Sequence, residues 1–189
     1  FNHKDEITRQ LKNIATQDNG GVKIEDADKF RGDVLDQLVQ NAVLNPSAEI
    51  KGLSRFLIKS AALELGIVNS SIQGLYEARG RGEVKGFTVP ALNIRGMSYE
   101  LCRAIFRTAI KSNAGAFIFE LAKSEMSYTF QKPHELSTVI LAAAIKEGFT
   151  GPVFIQGDHF QVNAKNYAQD PEKEIAGLKN LLQNGITGG

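Results

Sequence analysis

Asp158 and His159 stand side by side directly after the apolar run Val153-Phe154-Ile155-Gln156 and Gly157. A carboxylate can accept or return a proton, and a neutral imidazole can do the same or bind a metal ion. The run itself is the pattern of a strand buried on both faces, with Gly157 freeing the backbone where the strand would end. The spacing therefore predicts that the acid and the imidazole sit at the carboxyl edge of a parallel strand, where α/β barrels and open α/β sheets keep their chemistry. A histidine that only satisfies a structural hydrogen bond is the alternative at position 159.

Two further strand ends carry polar residues. Phe87-Thr88-Val89-Pro90-Ala91-Leu92-Asn93-Ile94 reads as a strand with Asn93 near its end, and Ala116-Phe117-Ile118-Phe119-Glu120-Leu121 as another, followed by Lys123 in a polar loop that runs from Ala122 to Lys132. Glu120 and Lys123 either bind substrate at that edge or form an ion pair on its rim. Lys123 as a Schiff-base amine requires burial to lower its pKa, which a polar loop opposes. His134, beside Pro133 at the first turn of a predicted helix, reads as a surface histidine.

These strand ends need helices between them. Ser98 is predicted to cap a helix carrying Leu101, Ala104, Ile105 and Ala109 inward and closed by Asn113 and Gly115. Pro133 opens a second, with Leu136, Val139, Ile140 and Ala143 inward and Gly148 at its end. Asp170-Pro171 is a cap and first-turn signal for a third, through Ile175, Leu178, Leu181 and Leu182 to about Gly185. The order β-α-β-α-β-α allows parallel crossovers. It begins either a (β/α)8 barrel or a doubly wound sheet. A barrel takes about 250 residues, so residues 87–189 hold only its first three βα units. Together with the opening without Met and the stop at Thr187-Gly188-Gly189, this predicts a chain cut at both ends and lacking a C-terminal half.

Residues 1–73 read as a helical N-terminal region, joined by a connecting loop over 74–86. Ile7, Leu11 and Ile14 have helical spacing before a break at Asn19-Gly20-Gly21. A helix from Asp26 or Asp28 carries Phe30, Val34, Leu35, Leu38 and Val39, and ends at Asn45-Pro46. Ser47 caps the next, with Ile50, Leu53, Phe56, Leu57, Ala61 and Leu65 on one face and Gly66 as its stop. This region is either a cap packed on the main domain or a partner-binding arm. Arg79-Gly80-Arg81-Gly82 has the composition of a phosphate cradle, but it precedes a strand instead of opening a helix, and reads as solvated loop.

Composition narrows the function classes. Charged residues make up 23% and hydrophobic residues 42%, ordinary for a soluble globular protein. A formal net charge of +1 gives no global reason to expect nucleic acid or an acidic membrane as partner. No apolar run approaches the ~20 residues of a membrane span, and Phe1-Asn2-His3-Lys4-Asp5 has no signal-peptide core. The single cysteine, Cys102, excludes an intrachain disulfide and reads as a small core residue of a reducing, cytoplasmic compartment.

Val89-Pro90-Ala91-Leu92-Asn93 resembles the "PAFN" first strand of the class II, metal-dependent fructose-bisphosphate and tagatose-bisphosphate aldolases. Gly157-Asp158-His159 resembles their "DH" element at the third strand, and Ala116 to Glu120 lies between them like the family's "VIVQ" strand. The resemblance spans about residues 86 to 185. It implies a (β/α)8 TIM barrel and a divalent metal, usually zinc, with His159 as a metal ligand and Asp158 as the catalytic carboxylate moving a proton at the aldehyde oxygen. Asn93 would face the substrate, a phosphorylated ketose, unless it satisfies loop backbone; Glu120 and Lys123 are the other substrate-binding candidates, and a homo-oligomer is expected. The family's further metal ligands and its enolising glutamate belong to later strands, and one histidine makes no zinc site. Two alternatives stay open: a non-catalytic companion subunit of tagatose-bisphosphate aldolase, or another metal-dependent barrel lyase or isomerase.

Overall fold

The computed structural model describes residues 1–18 and 20–188. Asn19, expected in the break after the first helix, and Gly189, the last residue of the predicted barrel segment, lie outside the described residues. The fold is mixed α/β, with many helices and a parallel sheet of four strands in the order β3 (Ile67–Ser70), β6 (Gly151–Asp158), β5 (Ile118–Ala122) and β4 (Ala91–Asn93). Two compact units divide the chain without following one sequence boundary: residues 1–70, 97–115 and 138–153 form the first, and residues 71–96, 116–137 and 154–189 the second.

The first unit holds α1 (Lys4–Leu11), the antiparallel hairpin β1 (Ala15–Asp18) and β2 (Gly21–Ile24), α2 (Ala27–Lys29), a π-helical turn over Phe30–Val34, α3 (Leu35–Leu44), α4 (Ala48–Glu64) and β3 (Ile67–Ser70). The hairpin and β3 correct the expectation that residues 1–73 are wholly helical. Alternating Val22-Lys23-Ile24 beyond a Gly pair is a short strand pattern, and Ile67-Val68 puts two β-branched residues after Gly66 in left-handed backbone at φ 75°. Asp26 caps α2 by accepting from the Lys29 N–H at 3.0 Å. The single helix expected from there is interrupted at Gly32, whose ψ of −142° is not helical. Phe30, Val34, Leu35, Leu38 and Val39 are all buried, as their spacing requires. Ser47 caps α4, but the inward face is Ile50, Ser54, Leu57, Ile58 and Ala61, while Leu53, Phe56 and Leu65 are half-buried.

Two more helices complete this unit, α6 (Ser98–Lys111) and the latter part of α8 (Pro133–Glu147). Met97, in left-handed backbone, precedes α6, and Ser98 is its first residue and not its cap. The buried face of α6 is Cys102, Phe106 and Ala109, rotated from the predicted Leu101 face, and Leu101 is exposed. Cys102 is core, and burial pushes its thiol up to about 12. Polar ties join these helices to the N-terminal ones: Tyr99 donates to Asp36 at 2.8 Å, Lys146 reaches Asp36 at 2.7 Å, and Arg31 donates to the Ile145 carbonyl at 3.0 Å.

The second unit contains α5 (Gln73–Gly80), β4 (Ala91–Asn93), β5 (Ile118–Ala122), α7 (Glu125–Thr129), most of β6 (Gly151–Asp158), α9 (Ala164–Gln169) and α10 (Pro171–Gly188). Helix α5 occupies part of the stretch expected as connecting loop, and α7 part of the loop expected over 122–132. Asp170 caps α10 as predicted, accepting from the Lys173 N–H at 3.0 Å, and the helix passes Gly185 to end at Gly188. Strands β4 and β5, and β5 and β6, pair in parallel, with Asn93 opposite Glu120, Glu120 opposite Gln156, and Ala122 opposite Asp158. Strand β5 is covered on both faces. In β6 Val153 is buried but Phe154, Ile155 and Gln156 are only half-buried, so the expectation of a strand covered on both faces holds for β5 and not for β6. Among the described residues no helix is long and apolar enough to cross a membrane.

Candidate functional site

A strand's side chains alternate between its faces, so the register puts Asn93, Glu120, Ala122, Gln156 and Asp158 on one face of the sheet, at its carboxyl edge. That edge is where the sequence pattern predicts Asp158 and Asn93. Asp158 Oδ2 accepts from Asn93 Nδ2 at 3.0 Å, and its Oδ1 meets His159 Nδ1 at 2.7 Å. In this contact Nδ1 is the donor, and Nε2 lies on the far side of the ring from the carboxylate. Asp158 is partly covered, at 22% side-chain exposure, whereas His159 is 75% exposed and has φ of 49°, in the left-handed region.

Gly157 lies inside β6 opposite Leu121, and its role differs from the backbone release expected of it. A Cβ there would come within 2.7 Å of the Phe160 ring, so this glycine makes room for an aromatic side chain folded back onto the strand end.

Of the other predicted residues, Glu120 is bound to Gln156 across the β5–β6 pair through a hydrogen bond from Gln156 Nε2 to Glu120 Oε1. Lys123 pairs with Glu174 and not with Glu120 as the rim alternative expected, its Nζ 3.0 Å from Glu174 Oε1, and the same oxygen accepts from the Asn163 N–H. Asn93, Asp158 and His159 thus form one cluster; Glu120 shares its face, and Lys123 is held by the first turn of α10. His134 is half-buried in the first turn of α8. The Arg79–Gly82 segment ends α5 and turns outward, with Arg79 stacked over the Phe87 ring at 5.2 Å and Arg81 paired to Glu83.

Two members of the cluster escape the sequence reading. Glu125, the first residue of α7, has a side chain only 3% exposed and accepts from the Ala122 N–H at 3.0 Å and from Asn93 Nδ2 at 3.2 Å. Arg95, two residues beyond β4, donates to its other oxygen at 2.5 Å. The available signal was their offset from the strand ends, since each follows its strand by two or three residues.

The charges are mutually arranged. The Asn93 hydrogen bond holds the Asp158 carboxyl below the ordinary carboxylate range, with His159 adding to it against a smaller effect of burial. For Glu125 burial is the largest influence and acts upward, but the Ala122 N–H, Asn93 and Arg95 together outweigh it and leave the carboxyl lowered. A carboxylate depressed in the folded state contributes stability that is present above its unfolded pKa, about 4, and is lost as pH falls through the folded value. Urea midpoints measured down through that window should therefore fall, and Asn93→Ala, which removes a donor common to both carboxylates, should make the decline shallower. Equal slopes for the two proteins would contradict this account.

A zinc ion held by protein takes three or four ligands. Asp158 and His159 are two, both Asp158 oxygens are engaged, and among the described residues no group of three His, Cys, Asp or Glu is arranged to hold a metal. The described residues do not by themselves make the zinc site implied by the resemblance. An open cleft lined by Phe1, Glu6, Arg9, Gln10 and Gln37 belongs to the first unit and contains none of the predicted site residues. Neither protein-family models, nor curated proteins, nor solved structures match this chain.

Proposed function

We propose that this chain carries the strand-end site of a class II aldolase-type lyase acting on a phosphorylated ketose such as fructose 1,6-bisphosphate, and that its parallel sheet is part of a (β/α)8 barrel. The observation that carries the reading is Asp158 at the carboxyl edge of a parallel strand, its carboxyl held below the ordinary range by Asn93, which reaches it from the end of β4 across β5, and by His159. Retro-aldol cleavage begins with loss of a proton from the hydroxyl next to the bond that breaks. An ionised carboxylate within hydrogen-bond reach of that hydroxyl accepts it, and returns it in the direction of synthesis. The electron pair of the broken C–C bond would pass into an enediolate that takes up a proton at carbon to release the keto product, and a divalent ion, if bound, would offset the charge of that enediolate. His159 Nε2 is the atom this chain offers to such an ion, with Asp158 orienting the ring through Nδ1.

The experiment is aldol cleavage of fructose 1,6-bisphosphate by the full chain, followed through triose phosphate release, with Asp158→Asn alongside. The alternative is the non-catalytic companion subunit, which needs no ion at His159 Nε2. Metal content separates them. The lyase reading expects bound divalent ion, lowered in His159→Ala, and turnover abolished by a chelator. A chain that binds no ion and gives no triose phosphate belongs to the companion reading.

A further inference from the structure

Asn93 Nδ2 donates to two carboxylates at once, to Asp158 Oδ2 at 3.0 Å and to Glu125 Oε2 at 3.2 Å. An amide nitrogen carries two hydrogens, so both are engaged. Turning the amide over would set its oxygen against two carboxylates, and the orientation of Asn93 is therefore dictated by charge. Glu125 is in turn held at both oxygens: its side chain is 3% exposed, the Ala122 N–H and Asn93 share one oxygen, and Arg95 donates to the other at 2.5 Å.

We propose that Glu125 is a positioning residue of the strand-end site: by accepting one Asn93 N–H it keeps the other on Asp158 and leaves Asn93 Oδ1 as the acceptor for a hydroxyl group of the substrate. Among the described residues none donates to that oxygen. A ligand group meeting it must be a donor, which a sugar hydroxyl is and a phosphate dianion is not. Assigning the donor to a sugar rests on the lyase reading above, whereas the orientation of the amide stands apart from it.

The test uses the 15N-labelled full chain and the two Asn93 side-chain amide protons. In the wild type both should resonate downfield as separate, slowly exchanging signals. Glu125→Leu removes the acceptor, so one signal should move to the position of a free amide and exchange faster, and kcat should fall roughly tenfold or more with a smaller change in KM. Glu125→Gln keeps an oxygen facing Ala122 and Asn93 while its amide nitrogen releases Arg95, and should restore the amide signature and part of kcat. A folded Glu125→Leu chain with wild-type Asn93 signals overturns the proposal. Should that variant not fold, the wild type decides: Asn93 protons with the shifts and exchange of a solvent-exposed asparagine overturn it, and two protected downfield protons support it. If the wild-type chain has no lyase activity, the kinetic arm fails with the lyase reading and the amide arm still decides.

Discussion

Asp158→Asn should lower aldol turnover by about 10²–10⁴-fold, the usual contribution of a positioned proton-transfer group. The substitution keeps the size and planarity of the side chain and removes only the ability to hold and release a proton. It also changes the partners, because Asn93 Nδ2 would then face an amide and His159 Nδ1 would lose a charged acceptor. The fold should survive. Asp158 is the last residue of β6, its side chain is partly exposed, and the ladder opposite Ala122 is made by backbone groups. Asp158→Ala, which also removes the oxygens, should match it in turnover while the chain stays folded, with the unfolding midpoint lowered slightly above the unfolded carboxyl pKa by loss of the contribution of the depressed carboxyl. Wild-type turnover in both variants would remove Asp158 from the chemistry.

Phe119→Ala should cost about 3–5 kcal/mol of folding stability, the range for emptying a buried aromatic site. Phe119 is fully buried, and its ring meets Phe117 edge-on with centroids 5.7 Å apart and planes at 78°. It lies in β5, between the strands that carry Asn93 and Asp158, so its loss loosens the register that brings those two residues together. The urea midpoint should fall with the m-value unchanged. Ile186→Ala, at a residue 81% exposed, is the control and should have little effect. A loss for Phe119→Ala no larger than the control would mean that β5 is not the keystone of this sheet.

The strand ends were legible because their signals are local. Apolar runs give way to Asn93, Glu120 and Gln156, which the parallel register sets side by side, and Asp158 follows two residues on at the same edge. Helix α8 was equally plain, with Pro133 first and Gly148 beyond its end at φ 72°. The faces of α4 and α6 were less so: Leu53 and Leu101 are apolar enough to be read as core, but a helix turned by one residue buries Ser54 and Cys102 instead, and only the neighbours decide. The partners of charged residues were not legible at all. Lys123 pairs with Glu174 and Arg95 with Glu125 at sequence separations that no pattern encodes. The burial of Glu125 went unseen for the same reason, since a carboxylate in a short polar segment looks solvated until its donors are known.

The left-handed backbone at His159 has a geometric result. Adjacent residues of a continuing strand send their side chains to opposite sides of the sheet, which would keep an imidazole at 159 away from a carboxylate at 158. With φ of His159 at 49° its side chain lies on the same side as its neighbour's, and Nδ1 meets Asp158 Oδ1 at 2.7 Å. A residue other than glycine gives up about 1–2 kcal/mol to sit in that region. The acid–imidazole couple is thus made by a break in the chain's direction, and lengthening β6 by a single residue would dissolve it without altering either side chain.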